Sequence, residues 1–153
     1  MFDAVSLDDG VHLAFGVIGY EFPDMADDWC HVRVAVRQGA ESFQAVDPAL
    51  EATELPAIRD WFRALAADRL PRYATLSFTE NCLAFEFLAR DDAGVRFAVH
   101  LCGELRPPFS LRQFTYEDAE WHIVFHFTPE RLAAVAAAAE ATLGRFPARR
   151  PRV

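Results

Sequence analysis

Apolar and polar residues alternate along most of this chain, and only two stretches change to helical spacing. In "WCHVRVAVRQG" Cys30, Val32, Val34 and Val36 fall on one side and Trp29, His31, Arg33 and Arg37 on the other. That is the two-residue period of a strand with one buried face. The opening "FDAVSLDDGVHLAFGVIGYEF" predicts a hairpin with its tight turn at Asp9-Gly10, and Gly16 and Gly19 predict a bend in the second strand. After the acidic segment "PDMADD" and the strand just described, a turn at Gln38-Gly39 leads into "ESFQAV" as an antiparallel partner, which "DPAL" should end.

The first helix is predicted over 54–68, within "TELPAIRDWFRALAAD". Thr53 is the expected N-cap, Pro56 sits in the first turn, and Leu55, Ile58, Trp61, Phe62 and Leu65 form one apolar stripe. "RYATLSF", "CLAFEFLAR" and "VRFAVHLCGEL", joined by turns at Glu80-Asn81 and Asp91 to Gly94, read as an antiparallel meander. "SLRQFTYED" and "EWHIVFHF" add one long or two short strands. The second helix is predicted over 129–143, with Thr128 as N-cap, Pro129 first and Gly144 as the stop. An arginine- and proline-rich tail follows from 145 and should be extended. Strands, helix, strands, helix, without βαβ alternation, make an α+β fold: a mostly antiparallel curved sheet with two helices packed on it, in one domain over 1–153.

Composition agrees with that reading. Among 153 residues 52% are hydrophobic, and fourteen phenylalanines provide enough apolar volume for a packed core. The net charge is −8, and it is uneven: residues 1–70 hold thirteen acids against five arginines, residues 71–153 ten against ten. Such a field disfavours nucleic acid as a ligand and suits a basic protein partner, besides keeping the protein soluble. Lysine is absent, which points to a GC-rich bacterial coding background. Three widely spaced cysteines, Cys30, Cys82 and Cys102, make neither a disulfide framework nor a zinc ribbon and fit a reduced cytoplasm. The N-terminus carries acids where a signal peptide needs basic and apolar residues, and no run approaches the ~20 apolar residues of a membrane span. A cytoplasmic protein without membrane association is the expectation.

Candidate chemistry is sparse. His100 and Cys102 share one strand face, and His122 and His126 share a face of a later strand, so nitrogen and sulfur ligands for zinc are conceivable. Ordinary sheet-surface residues account for the same spacing. Cys82, Cys102, Ser77 and Ser110 lack the glycine-rich elbow or helix N-terminus that activates a nucleophile. Glu80, Glu86 and Glu104 offer a carboxylate set for hydrolysis only if the fold converges them. No phosphate-binding glycine loop occurs, and no cofactor is implied. Docking of another protein is the remaining reading, through exposed acids such as Asp24, Asp27 and Asp28 and through the corner Arg106-Pro107-Pro108-Phe109, where arginine and an aromatic stand on a stiff loop. The alternative for that corner is Phe109 folded inward and Arg106 paired with Glu104 or Glu86.

Taken in order, "GYEFP" at 19–23, "DDWCHVRVAV" at 27–36, "SFTENCLAFEF" at 77–87, "GELRPPF" at 103–109 and "GRFPAR" at 144–149 span nearly the whole chain. The ordered set resembles bacterial WapI-type immunity proteins. The resemblance implies a non-enzymatic cytoplasmic protein that binds the toxic C-terminal domain of a contact-dependent toxin, a basic domain in many such systems. Phe109 stands where the family's loop is associated with tryptophan, and Ala148 where its ending has a second proline, so no binding residue is carried over. The other reading the residues allow is a metal-binding or hydrolytic protein using histidine, cysteine and glutamate on the sheet face.

Overall fold

The alternating segments pair into two antiparallel sheets. The computed structural model describes residues 1–6, 10–111 and 121–149. Its first sheet is β1 (Phe2–Val5), β2 (His12–Tyr20), β3 (Trp29–Gln38) and β4 (Glu41–Glu51), in that order. The second is β5 (Thr75–Ser77), β6 (Leu83–Asp91), β7 (Gly94–Leu101) and β8 (His122–Phe127). Helix α1 (Leu55–Ala66) separates the sheets in sequence, and α2 (Pro129–Arg145) closes the chain and packs on α1. The fold is α+β, with its strands divided between two sheets. None of the described helices is long and apolar enough to cross a membrane.

Local chemistry explains most boundaries. The β1–β2 hairpin forms with Phe2 opposite Phe15, and Gly10 holds φ +60°, which a side chain would oppose. Asp9 lies outside the described residues. The bend expected at the glycines is a register shift between Val17 and Gly19 that leaves Ile18 as an extra residue. β4 does not stop at "DPAL" as the proline suggested. It lies at a sheet edge, and its register slips so that Cys30 faces Leu50 while His31 faces Pro48. Ala49 is the extra residue of a bulge, and at an edge beside a bulge a proline removes no needed ladder bond.

Thr53 does not cap α1. It lies inside a 3-10 turn, Ala52–Glu54, that winds into the helix. The Glu54 carboxylate accepts the Glu51 backbone N–H at 2.8 Å and also the Thr79 N–H and hydroxyl at 2.7 and 2.9 Å. One carboxylate thereby ties the helix start to the turn before β6. α1 ends at Ala66, before the expected Asp68, which has the left-handed φ of +56°. Thr128 does cap α2, accepting the Arg131 N–H at 3.4 Å. The helix runs through Gly144, which is not left-handed here, and stops at Arg145. Of the expected strand "SLRQFTYED", Ser110 and Leu111 have no regular structure and the remainder lies outside the described residues.

The core joins both sheets to both helices. Cys30, Val32, Val34 and Val36 are fully buried, as are Leu55, Ile58, Phe62 and Leu65 of the α1 stripe. Phe2 stacks on Phe15 at 5.0 Å within its own sheet and meets Phe125 of the second sheet edge-on at 5.2 Å. Trp61 and Phe62 of α1 contact both Phe85 and Phe97 of the second sheet, at 5.3–6.0 Å. Aromatic pairs of this kind add about 0.5–1.5 kcal/mol each beyond the area they bury.

Candidate functional site

Four acids gather in and beside the turn from β2 to β3. Glu21 and Asp27 are half-buried, Asp24 is exposed, and Asp28 is completely buried. Asp28 is therefore not the surface acid its sequence context suggested. Its carboxylate accepts the backbone N–H of Arg149 at 2.5 Å, and its carbonyl accepts the Ala52 N–H at 2.8 Å and the Cys30 thiol at 3.3 Å. Asp27 is engaged as well, accepting the Trp29 N–H at 3.0 Å. Burial, then the nearby Asp28 charge, pushes the Cys30 thiol up to about 11, so it stays protonated and donates.

The C-terminal tail holds this turn. Residues 146–149, past α2, have no regular structure, yet Phe146, Pro147 and Arg149 are each tied down. Tyr20 donates its hydroxyl to the Pro147 carbonyl at 2.6 Å, and Phe146 packs edge-on against the Tyr20 ring at 5.6 Å. The Arg149 guanidinium donates to the carbonyls of Phe22 at 3.3 Å, Pro23 at 2.6 Å and Met25, and lies 4.2 Å from the Tyr20 ring centroid. Phe22 and Met25 remain 43% and 58% exposed on the outside of the turn, next to Asp24. Nothing in local sequence shows this strap, because the contacting groups stand more than a hundred residues apart.

The corner after β7 begins with a second 3-10 turn, Gly103–Leu105, made possible by φ +53° at Gly103. Leu105 and Pro107 are buried, Arg106 and Pro108 exposed, and Phe109 half-buried against the core. The Trp121 indole N–H donates to the Phe109 carbonyl at 3.0 Å. Phe109 therefore turns partly inward, and Arg106 makes no ion pair among the described residues. Glu104, on the same corner, approaches the Cys82 thiol at 3.7 Å. With Asp47 of β4 they place three ligand-type atoms within 4.8 Å of one another. Burial first, then the charges of Asp47 and Glu104, push the Cys82 thiol up to about 11, and burial with Glu104 raises the Asp47 carboxyl. A thiol so placed is held in its protonated form at neutral pH.

His100, His122 and His126 lie on the outer face of the second sheet. His100 and His122 are direct cross-strand neighbours with ring centroids 5.1 Å apart, and Glu86 contacts the His100 Nε2 at 2.8 Å. Thr75, Ser77, Cys102 and these two residues Glu86 and His100 line a groove of about 510 Å³. His126 stands four residues along β8 from His122, roughly 13 Å at strand rise, and contacts Asp91 at 3.0 Å. The four residues His100, Cys102, His122 and His126 are not gathered around one point, because sharing a strand face does not bring residues four apart together. Glu80 is exposed in its turn.

Comparison with known proteins places this architecture. A family model described as the immunity protein WapI-like family matches residues 5–147, from the end of β1 to the Pro147 carbonyl that Tyr20 binds. Neither a curated protein nor a solved structure matches the chain.

Proposed function

The chain belongs to the WapI-like immunity protein family, and on that premise we propose that it is a cytoplasmic immunity protein that neutralises a basic toxin domain by binding it, without catalysis. The observation that carries this reading is the extent of the family match, which covers 5–147 and so includes β2 to β8, both helices and the acidic turn. Charge supports the nature of the partner. The acids are concentrated in residues 1–70, and exposed Asp24 with half-buried Glu21 and Asp27 gives the β2–β3 turn a negative field. Such a field steers a basic protein onto the surface and disfavours nucleic acid or an anionic membrane. The protonated Cys30 and Cys82 thiols suit a protein whose cysteines pack and do not react.

The test is to sequence the neighbouring genes and co-express the protein with the C-terminal domain of any large secreted toxin found there. Protection of the host, a stable complex on gel filtration, and an association rate that falls at least about tenfold between low and high salt are expected. Unrelieved toxicity, or stoichiometric zinc in the purified protein together with hydrolytic turnover, would overturn the proposal.

A further inference from the structure

We infer that the turn Phe22–Asp27 is a preformed protein-docking surface and that the tail Pro147–Arg149 is the clamp that gives it its shape, the partner presenting a basic surface with an apolar recess. The partner half of this inference rests on the immunity reading; the clamp does not.

A turn of this length ordinarily directs its carbonyls to water and samples many conformations. Here the carbonyls of Phe22, Pro23 and Met25 converge on one guanidinium. A planar group with donors in a fixed fork fits that task, whereas a point-charge ammonium does not. The guanidinium is backed by the Tyr20 ring at 4.2 Å, and the Arg149 main chain is anchored by the buried Asp28 carboxylate at 2.5 Å. Tyr20 fixes the preceding residue pair through the Pro147 carbonyl at 2.6 Å. The clamp thus grips the turn from beneath, at three carbonyls and at its base.

The outside of the turn is left with a distinct character. Phe22 and Met25 are 43% and 58% exposed three residues apart, with exposed Asp24 between them. An aromatic and a methionine beside a carboxylate form the usual chemistry of a contact patch: adaptable apolar anchors next to a charge. Arg149 spends its donors inward on carbonyls, and the exposed charged side chain of the turn is the Asp24 carboxylate. Because the turn is already ordered, little conformational entropy is lost when a partner seats on it. Shape, charge and order therefore select a basic protein partner.

Two measurements decide the matter. Hydrogen exchange on the full chain alone tests the clamp. Arg149→Ala should speed exchange of the Glu21 and Met25 amides, which donate to the Trp29 and Phe22 carbonyls, by about tenfold or more while the amides of β3 and β7 keep their protection. Arg149→Lys, which retains charge but cannot bridge three carbonyls, should behave like the alanine variant. Unchanged exchange in the turn, or full restoration by lysine, overturns the clamp. Calorimetric titration with the toxin domain that the co-expression test identifies as the partner tests the surface. The double variant Phe22→Ser/Met25→Ser should retain the wild-type melting temperature and bind at least about tenfold more weakly. Wild-type affinity in that variant overturns the docking surface while the immunity reading stands. Absence of binding by the wild-type protein overturns the surface and that reading together, and the exchange result still decides the clamp.

Discussion

Asp28 shows how a residue's role depends on contacts that its neighbours in sequence do not reveal. In "PDMADDWC" it reads as the last of a solvated run, yet it is fully buried and holds the tail through the Arg149 N–H, 121 residues away. Asp28→Ala removes a charged acceptor from a part-buried donor and should cost about 1.5–3 kcal/mol in urea denaturation. Asp24→Ala, at an exposed position, should change stability by less than about 0.5 kcal/mol. The cysteines give a pH-dependent counterpart. Cys30 and Cys82 are both raised from an ordinary value of 9.0 to about 11, chiefly by burial. Above pH 9 the unfolded thiols lose protons that the folded ones retain, so their contribution is complete below about 9 and disappears as pH rises through about 11. The melting temperature should therefore fall over that window, and more steeply for the wild type than for Cys30→Ala/Cys82→Ala, each variant compared with its own value at pH 8.

At the scale of elements, propensity and capping were good guides wherever local chemistry was sufficient. The α1 stripe of Leu55, Ile58, Trp61, Phe62 and Leu65 is buried in full, and Thr128-Pro129 starts α2 as its sequence indicates. Element ends were less legible, because tertiary partners set them. Glu54, bonded to Thr79 across the chain, starts the first helix in place of Thr53, and edge position lets β4 pass through Pro48. Gly94 marks the tightest junction between elements. A Cβ there would stand 2.1 Å from the Phe127 carbonyl oxygen, and its φ is +157°. Gly94→Ala must push β7 and β8 apart, so we expect a loss of at least about 3 kcal/mol in denaturant unfolding. Gly144→Ala, in the last turn of α2 with nothing within 4 Å of the added carbon, should stabilise by roughly 0.5 kcal/mol in the same assay.

For the whole molecule the phenylalanines connect what the chain separates. Phe97 touches Phe2 of the first sheet, Trp61 and Phe62 of α1, and Phe125 and Phe127 of its own sheet. Phe97→Ala should cost about 3–5 kcal/mol, and unfolding monitored by tryptophan fluorescence and far-UV circular dichroism should remain one coincident transition, because both sheets share that core. The sequence by itself determined the α+β class, the alternating strands, both apolar helix faces and an acidic N-terminal half, since each follows from periodicity or composition within a short window. The ordered motifs also pointed to the immunity family that the family match shows. Only the tertiary structure decided that the strands form two sheets, that Asp28 is buried, that Phe109 turns partly inward, and that Arg149 closes over the β2–β3 turn. These depend on which distant segments meet, and that is settled by the shared burial of aromatic side chains and the pairing of buried polar groups, neither of which leaves a periodic trace along the chain.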